Sequence, residues 1–382
     1  MAMRDRLNQA LASAKPSPIR EFTRLAAAKK DCVRLTLGEP DFITPEAIRA
    51  AANAALAAGE THYIENNGTK ALRSCIAEYE RERHGLDYAA EDVVVTVGAT
   101  EALFAALFTV LDPGDEVIVP VPAFVLYERI IGLCRGTFVP LDTEPDGFRI
   151  RREALEKCLS PRTKAILLNS PNNPTGCVLD AESLEAVRAV AAEREIFVIT
   201  DDVYRDLCYE GECRSFAEFS DLRDRIIAVQ SFSKPWAMTG WRVGWLLADA
   251  PVREKLQLVH QFMVTSVPAP FQRACVAALD TDPGEMLAEY RARRAYVLER
   301  LEGMGLETPR PQGAFYAFPS IARFGMGSTQ FCTRLLDEAG VALTPGAAFG
   351  ADGHARLSYC CGMEALREGL DRLEGFVRRL EA

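Results

Sequence analysis

Between Glu91 and Leu247 short β-branched runs alternate with stretches of helical pattern. The runs are Val93–Val97, Glu116–Val119, Lys164–Leu168, Ile196–Thr200, Ile226–Gln230 and Trp241–Leu247. Strands that follow one another through intervening helices are free to pair in parallel, so this rhythm predicts an α/β fold with a mostly parallel central sheet flanked by helices. After Pro283 the rhythm changes to a long charged helix, a short strand over Ala314–Phe318, a helix over Gln330–Ala339, a strand over Arg356–Cys360 and a closing helix. In that last helix Leu366, Leu370, Leu373, Val377 and Leu380 recur at three and four residues, which makes one apolar face. A chain of 382 residues exceeds what one hydrophobic core serves well. We therefore expect residues 45–282 to form a large α/β body, with 1–44 and 283–382 assembling a smaller α+β body from both chain ends. Thr44-Pro45-Glu46 reads as a capped helix start, and Gly59 as that helix's end.

The charge balance narrows the function. A formal net charge of −10, with no basic run interleaved with aromatics, argues against a nucleic-acid partner. No stretch has the length and apolarity of a membrane span, and the first residues lack the apolar run of a signal peptide. Eleven scattered cysteines without a CxxC pair, and four histidines without zinc spacing, read as buried thiols in a reducing cytoplasm and no metal site.

In an open α/β sheet, ligands bind beyond the carboxyl ends of the strands. The residues that follow these strands are chemically rich. Gly98-Ala99-Thr100 opens a helix and offers backbone amides and a hydroxyl to an anion. Asn169 to Gly176 is a rigid turn with amide side chains, Asp201-Asp202-Val203-Tyr204 brings a carboxylate and a phenol, and Ser231-Phe232-Ser233-Lys234 brings an amine, with Arg242 eight residues on. Each alone has a structural explanation as a cap, a turn or a surface charge. Together they put an anion cradle, an acid, a phenol, an amine and a guanidinium on one sheet edge. Strand alternation aims Asp201 at that edge and turns Asp202 away.

Ser231-x-x-Lys234 with Arg242, Asn173-Pro174-Thr175-Gly176 and Asp201-x-x-Tyr204 resemble the motif set of fold type I, class I/II aminotransferases, nearest the bacterial aspartate and aromatic subgroup. The likeness extends from Gly38-Glu39-Pro40-Asp41-Phe42 and Tyr63-x-x-x-x-Gly68 to Pro345-Gly346 and Arg356-Leu357-Ser358-Tyr359. It implies pyridoxal 5′-phosphate (PLP) as cofactor, held by Lys234 as a Schiff base, with the freed amine as proton shuttle. It also implies Asp201 at the pyridine nitrogen and Tyr204 and Asn173 at the ring's phenolate oxygen. Phe124 would stack on the ring, while Ala99, Thr100, Ser231 and Arg242 receive the phosphate. Tyr63 would reach the phosphate of a partner subunit, which makes a homodimer with shared sites. Arg356, with Gly38 and Asn173, would bind the substrate's α-carboxylate. Arg310 and the adjacent Arg293 and Arg294 read as solvated charges.

The resemblance implies transamination between an amino acid and a 2-oxo acid by a ping-pong route. Two alternatives share the motifs: a β-eliminating C–S lyase-like enzyme, and a non-catalytic PLP-binding sensor module, which would need a DNA-binding segment that the residues before Gly38 are too few to form. A dehydrogenase is disfavoured because no GxGxxG follows a first strand. In the aspartate- and prephenate-using members that this chain resembles, a lysine stands where Thr100 is, and Pro16-Ser17-Pro18-Ile19 supplies a branched apolar side chain near the site. A neutral aromatic or aliphatic donor is therefore expected over aspartate.

Overall fold

A computed structural model describes residues 6–8, 11 and 18–381. Helix α1 (Pro18–Ala27) and strand β1 (Val33–Arg34) precede α2 (Glu46–Ala57) and α3 (Lys70–His84). The α/β body then runs β2 (Val93–Thr96), α4 (Gly98–Val110), β3 (Glu116–Val121), α5 (Leu126–Leu133), β4 (Thr137–Asp142), α6 (Arg152–Cys158), β5 (Thr163–Asn169), α7 (Ala181–Arg194), β6 (Phe197–Asp201), β7 (Ile226–Ser231) and β8 (Gly244–Leu247). Helices α8 (Val252–Val264), α9 (Ala269–Leu279) and α10 (Gly284–Gly303) follow, then β9 (Tyr316–Ala317), α11 (Ser328–Ala339), β10 (Val341–Ala342), β11 (Thr344–Pro345), β12 (Ala355–Ser358) and α12 (Met363–Glu381). No helix among the described residues is long and apolar enough to cross a membrane.

Seven strands form the central sheet in the order β2-β8-β7-β6-β5-β3-β4. Only β8 runs against its neighbours, so the sheet is mostly parallel, as the alternation of runs and helices predicts. The buried runs of β5, β6 and β7 carry apolar side chains to both faces because helices cover both. Register then fixes the edge. Asn169 pairs with Asp201, and Ser231 pairs with Gly244, which also pairs with Thr96, so the ends of β5, β6, β7 and β2 and the start of β8 lie side by side. Two smaller sheets, β1-β10 and β11-β12-β9, come from the chain ends. On α12 the residues Leu366, Leu370, Leu373 and Val377 are buried, and Leu380 is partly buried against them.

Several local expectations are corrected. Trp241–Val243 is not strand: Arg242 has φ 55°, and β8 begins only at Gly244. Strand β4 escapes a search for β-branched runs because its sequence, Thr-Phe-Val-Pro-Leu-Asp, belongs to a half-exposed edge where Pro140 is tolerated. Thr44 does not cap α2; its hydroxyl donates instead to the Ala237 carbonyl at 2.7 Å. Arg293 and Arg294 are buried, not solvated, since Arg293 pairs with Asp41 at 2.7 Å and Arg294 with Glu210 at 2.8 Å. Arg310 is exposed and joins the same Glu210. Cys208 and Cys213 form a disulfide, against the expectation of thiols throughout. The other nine cysteines are free, four of them buried.

Behind the site edge lies an ion cluster. Arg205 donates to Glu80 at 2.6 Å and lies 3.5 Å from Asp202, all three being buried. Glu80 also accepts from the Trp245 indole at 2.9 Å, and Asp202 accepts from Thr200 and Ser215. Removing the one cation would leave two buried carboxylates uncompensated. Arg205→Met should therefore lower stability by about 3–5 kcal/mol in urea unfolding, and a loss under about 1 kcal/mol would show the cluster to be solvated or self-sufficient.

Candidate active site

At the carboxyl edge of the sheet, Asp201 ends β6 and is fully enclosed. Its Oδ2 accepts from the Tyr127 hydroxyl at 2.7 Å, and its Oδ1 accepts weakly from the Val203 amide at 3.4 Å. Burial pushes this carboxyl up to about 7, and the Tyr127 hydrogen bond opposes the rise. Asp202 points the other way, into the Arg205 cluster, as alternation requires.

The turn after β7 presents the amine. Lys234 Nζ donates to the Gly38 carbonyl at 2.7 Å and lies 5.8 Å from the Tyr204 ring centroid. Burial pushes it down to about 8, and the positive charges of Arg242 and Arg356 add to the effect. An amine so placed gives up its proton more readily than an ordinary lysine.

Arg356, on β12, comes from the far end of the chain and is fully buried. Its guanidinium donates to Asn173 Oδ1 at 2.8 Å and to the Thr36 carbonyl at 2.5 Å, and it lies 4.5 Å from the Tyr316 ring centroid. Among the described residues its Nε has no partner and no carboxylate neutralises it. Asn173 is held in turn by Asn169, whose Oδ1 accepts from the Asn173 amide at 2.8 Å.

A fourth feature is the start of α4. Its N-cap residue, Val97, gives no side-chain cap, so the first amides have no partner there. Gly98 has φ 74°, and a Cβ there would stand 2.8 Å from the Arg242 guanidinium, which packs against this helix end. The Ser231 hydroxyl, 2.8 Å from Ser233 Oγ, faces the same place.

These groups surround one cavity of about 260 Å³. Gly38, Ala99, Thr100 and Phe124 line it, as do Asn173, Asp201, Tyr204, Ser231, Lys234, Arg242 and Arg356. Of the residues singled out in the sequence, Tyr63 alone is elsewhere: it is 90 % exposed. Pro16 and Ser17 lie outside the described residues, and of Pro18 and Ile19 only the backbone is described. Two lining residues went unread. Tyr127 stands three residues after Phe124, a spacing that puts both on one side of a helix start. Tyr316 gave no signal of its own; its hydroxyl is 2.8 Å from that of Tyr204, and a Cβ on Gly38 would come within 1.9 Å of it. Gly38 is glycine because that phenol occupies the space.

The profile of the family described as "Aminotransferase class I and II" matches residues 30–373. A probable N-acetyl-LL-diaminopimelate aminotransferase of Bacillus subtilis is 42% identical, over 94% of this chain and 93% of its own. An arginine–pyruvate transaminase of Pseudomonas aeruginosa is 40% identical, over 90% and 89%. The structure of Thermus thermophilus aspartate aminotransferase with maleate superposes with a TM-score of 0.92 at 38% identity, covering 97% of this chain and 99% of that one. With the family matched along nearly the whole chain and the fold shared with its solved members, this chain is an enzyme of the class I and II aminotransferase family.

Proposed function

We propose that the protein is a PLP-dependent aminotransferase that moves an amino group from a neutral amino acid to a 2-oxo acid by a ping-pong route. One observation carries this reading: a single cavity gathers a half-buried amine, a buried acid and a buried guanidinium, none of them in an ion pair with a counter-charge among the described residues. Unpaired buried charges are costly unless a ligand completes them. PLP and an amino acid have the complementary groups. Asp201 suits a protonated pyridine nitrogen, the uncapped α4 start with Arg242 and Ser231 suits a phosphate, and Phe124 suits a ring face. Arg356 suits an α-carboxylate, which would meet the free Nε side of the guanidinium.

When bound, PLP supplies an electron sink for the bond between hydrogen and the substrate's Cα. The chain's own groups do the rest. Lys234 would hold the cofactor covalently and, once released, its neutral Nζ would take the Cα proton. Arg356 and Asn173 would orient the substrate so that this proton faces Nζ. Tyr204 and Asn173 would serve as donors to the ring oxygen, and Asp201 would keep the ring nitrogen protonated. Because one arginine serves every α-carboxylate, the first oxo acid must leave before the second enters, which is the physical basis of a ping-pong order.

The Tyr63 side chain, exposed and remote from its own cavity, is read as reaching a partner subunit's site in a homodimer. Residues 45–282 are read as the large body and 1–44 with 283–382 as the small one. An apolar cluster that unites Phe22, Val33 and Leu35 with Leu301, Phe331 and Leu370 supports that division, and Val203, Tyr204, Leu207 and Tyr209 join it from the large body. Nine free cysteines favour a cytoplasmic setting.

Relatives of similar identity are named for N-acetyl-LL-diaminopimelate, for aspartate and for arginine, so identity does not select a donor. The lining does. Among the described residues its cations are Lys234, Arg242 and Arg356, each already committed, and Thr100 adds none, so a second carboxylate on the donor would be desolvated without a partner from these residues.

Two outcomes follow. Borohydride treatment of the yellow holoenzyme should fix the cofactor on Lys234 in peptide maps; an adduct on any other lysine would end the assignment. With one common acceptor, kcat/KM for phenylalanine, alanine or methionine should exceed that for aspartate. Aspartate ahead by tenfold, about 1.4 kcal/mol of barrier, would show that specificity is not read at Thr100.

A further inference from the structure

The acid at the ring nitrogen has a companion that no motif marked. Tyr127 is buried on α5, its ring set edge-on to Phe124 at 5.7 Å and 86°. Among the described residues its hydroxyl makes one hydrogen bond, the 2.7 Å bond to Asp201 Oδ2. A residue needed only for packing would have no use for that oxygen: the apolar cluster around it, with Ile131, Val119 and Leu167, would accept a phenylalanine of the same shape. Burial holds the phenol well above its ordinary range, so it stays protonated and can only donate to a carboxylate.

We propose that Tyr127 is a positioning residue for Asp201, its hydroxyl holding that carboxyl ionised and turned toward the cavity so that it can pair with a cationic ring. The other groups facing Asp201 cannot do this. The Val203 amide is at 3.4 Å, beyond a strong bond. Asp202, the next residue, carries a like charge that opposes ionisation. Lys234, from the turn after β7, favours ionisation, but its amine is bonded to the Gly38 carbonyl and is the group the cofactor would take up. The Tyr204 hydroxyl lies 2.8 Å from that of Tyr316 and is read as serving the ring oxygen rather than Asp201. Tyr127 is left as the donor that persists whether or not the site is filled. It also joins the aromatic that would cover the ring to the acid at its edge, so the two move as one.

The inference rests on the reading of Asp201 as the ring acid, and the test separates the two. Pyridoxamine 5′-phosphate has the ring and phosphate but no aldehyde, so it binds without reacting with Lys234. Asp201 must be ionised to pair with the protonated ring, so affinity falls as pH drops through the free carboxyl's value. Withdrawing a hydrogen bond that stabilises the carboxylate raises that value and moves the fall to higher pH. Binding is followed by fluorescence from about pH 5.5 to 8.5, the range that brackets such a group. The ligand's own titrations are common to every protein compared. Tyr127→Phe should move the midpoint up by about half a unit or more and cut kcat by about tenfold with little change in KM, as loss of one buried donor to a charge would. Tyr127→His, whose ring N–H can donate, should restore part of both, and Asp201→Ala should abolish the step. An unmoved midpoint in Tyr127→Phe, with the step abolished in Asp201→Ala, would reduce Tyr127 to packing. A step that survives in Asp201→Ala would sink the reading of Asp201 and this inference with it.

Discussion

The enclosed carboxyl of Asp201 imposes the demand that organises this molecule. An acid at the end of a central parallel strand, with apolar β-sheet on either side, is driven toward its neutral form by burial. The Tyr127 hydroxyl and the Lys234 amine temper that drive without removing it, while the adjacent Asp202 adds to it. Asp202 itself points away, into a cluster in which Arg205 is shared with Glu80. The residual mismatch is what a cationic ring would relieve, so the site is built to be completed by a ligand rather than to be stable alone.

The same logic recurs at Arg356 and Lys234. Each is a cation whose partners among the described residues are carbonyl, amide or hydroxyl oxygens and not a carboxylate, and each is shifted toward neutrality by desolvation. An acid, an amine and a guanidinium without ion pairs among the described residues, gathered in one cavity of about 260 Å³, lose solvation that a ligand's counter-charges would replace. The fold makes the gathering possible by topology. Strand ends supply Asp201 and the Lys234 turn, while β12, more than a hundred residues later, carries Arg356 over the sheet edge, and Gly38 comes from the other end of the chain.

Much of this was legible in the sequence because it depends on local pattern. β-branched runs locate strands, the edge rule says which residues face a ligand, and alternation separates Asp201 from Asp202. What was hidden depends on partners far away along the chain. Arg293 and Arg294 look like surface charges until Asp41 and Glu210 are brought to them. Thr44 looks like a cap until Ala237 and Trp241 compete for its hydroxyl. Tyr316 earns its place only because Gly38 leaves it room and Tyr204 meets its hydroxyl. The Cys208–Cys213 disulfide closes a loop whose sequence has no redox motif.

The central claim is that Asp201 is the counter-charge without which the bound ring cannot draw electrons from the substrate. Asp201→Ala, with its cofactor content measured by absorbance alongside turnover, tests it most directly. The account predicts that PLP is still held through Lys234 while kcat falls on the order of a thousandfold, about 4 kcal/mol of barrier. A variant that keeps near-normal turnover with full cofactor would contradict it and move the search to Asp202.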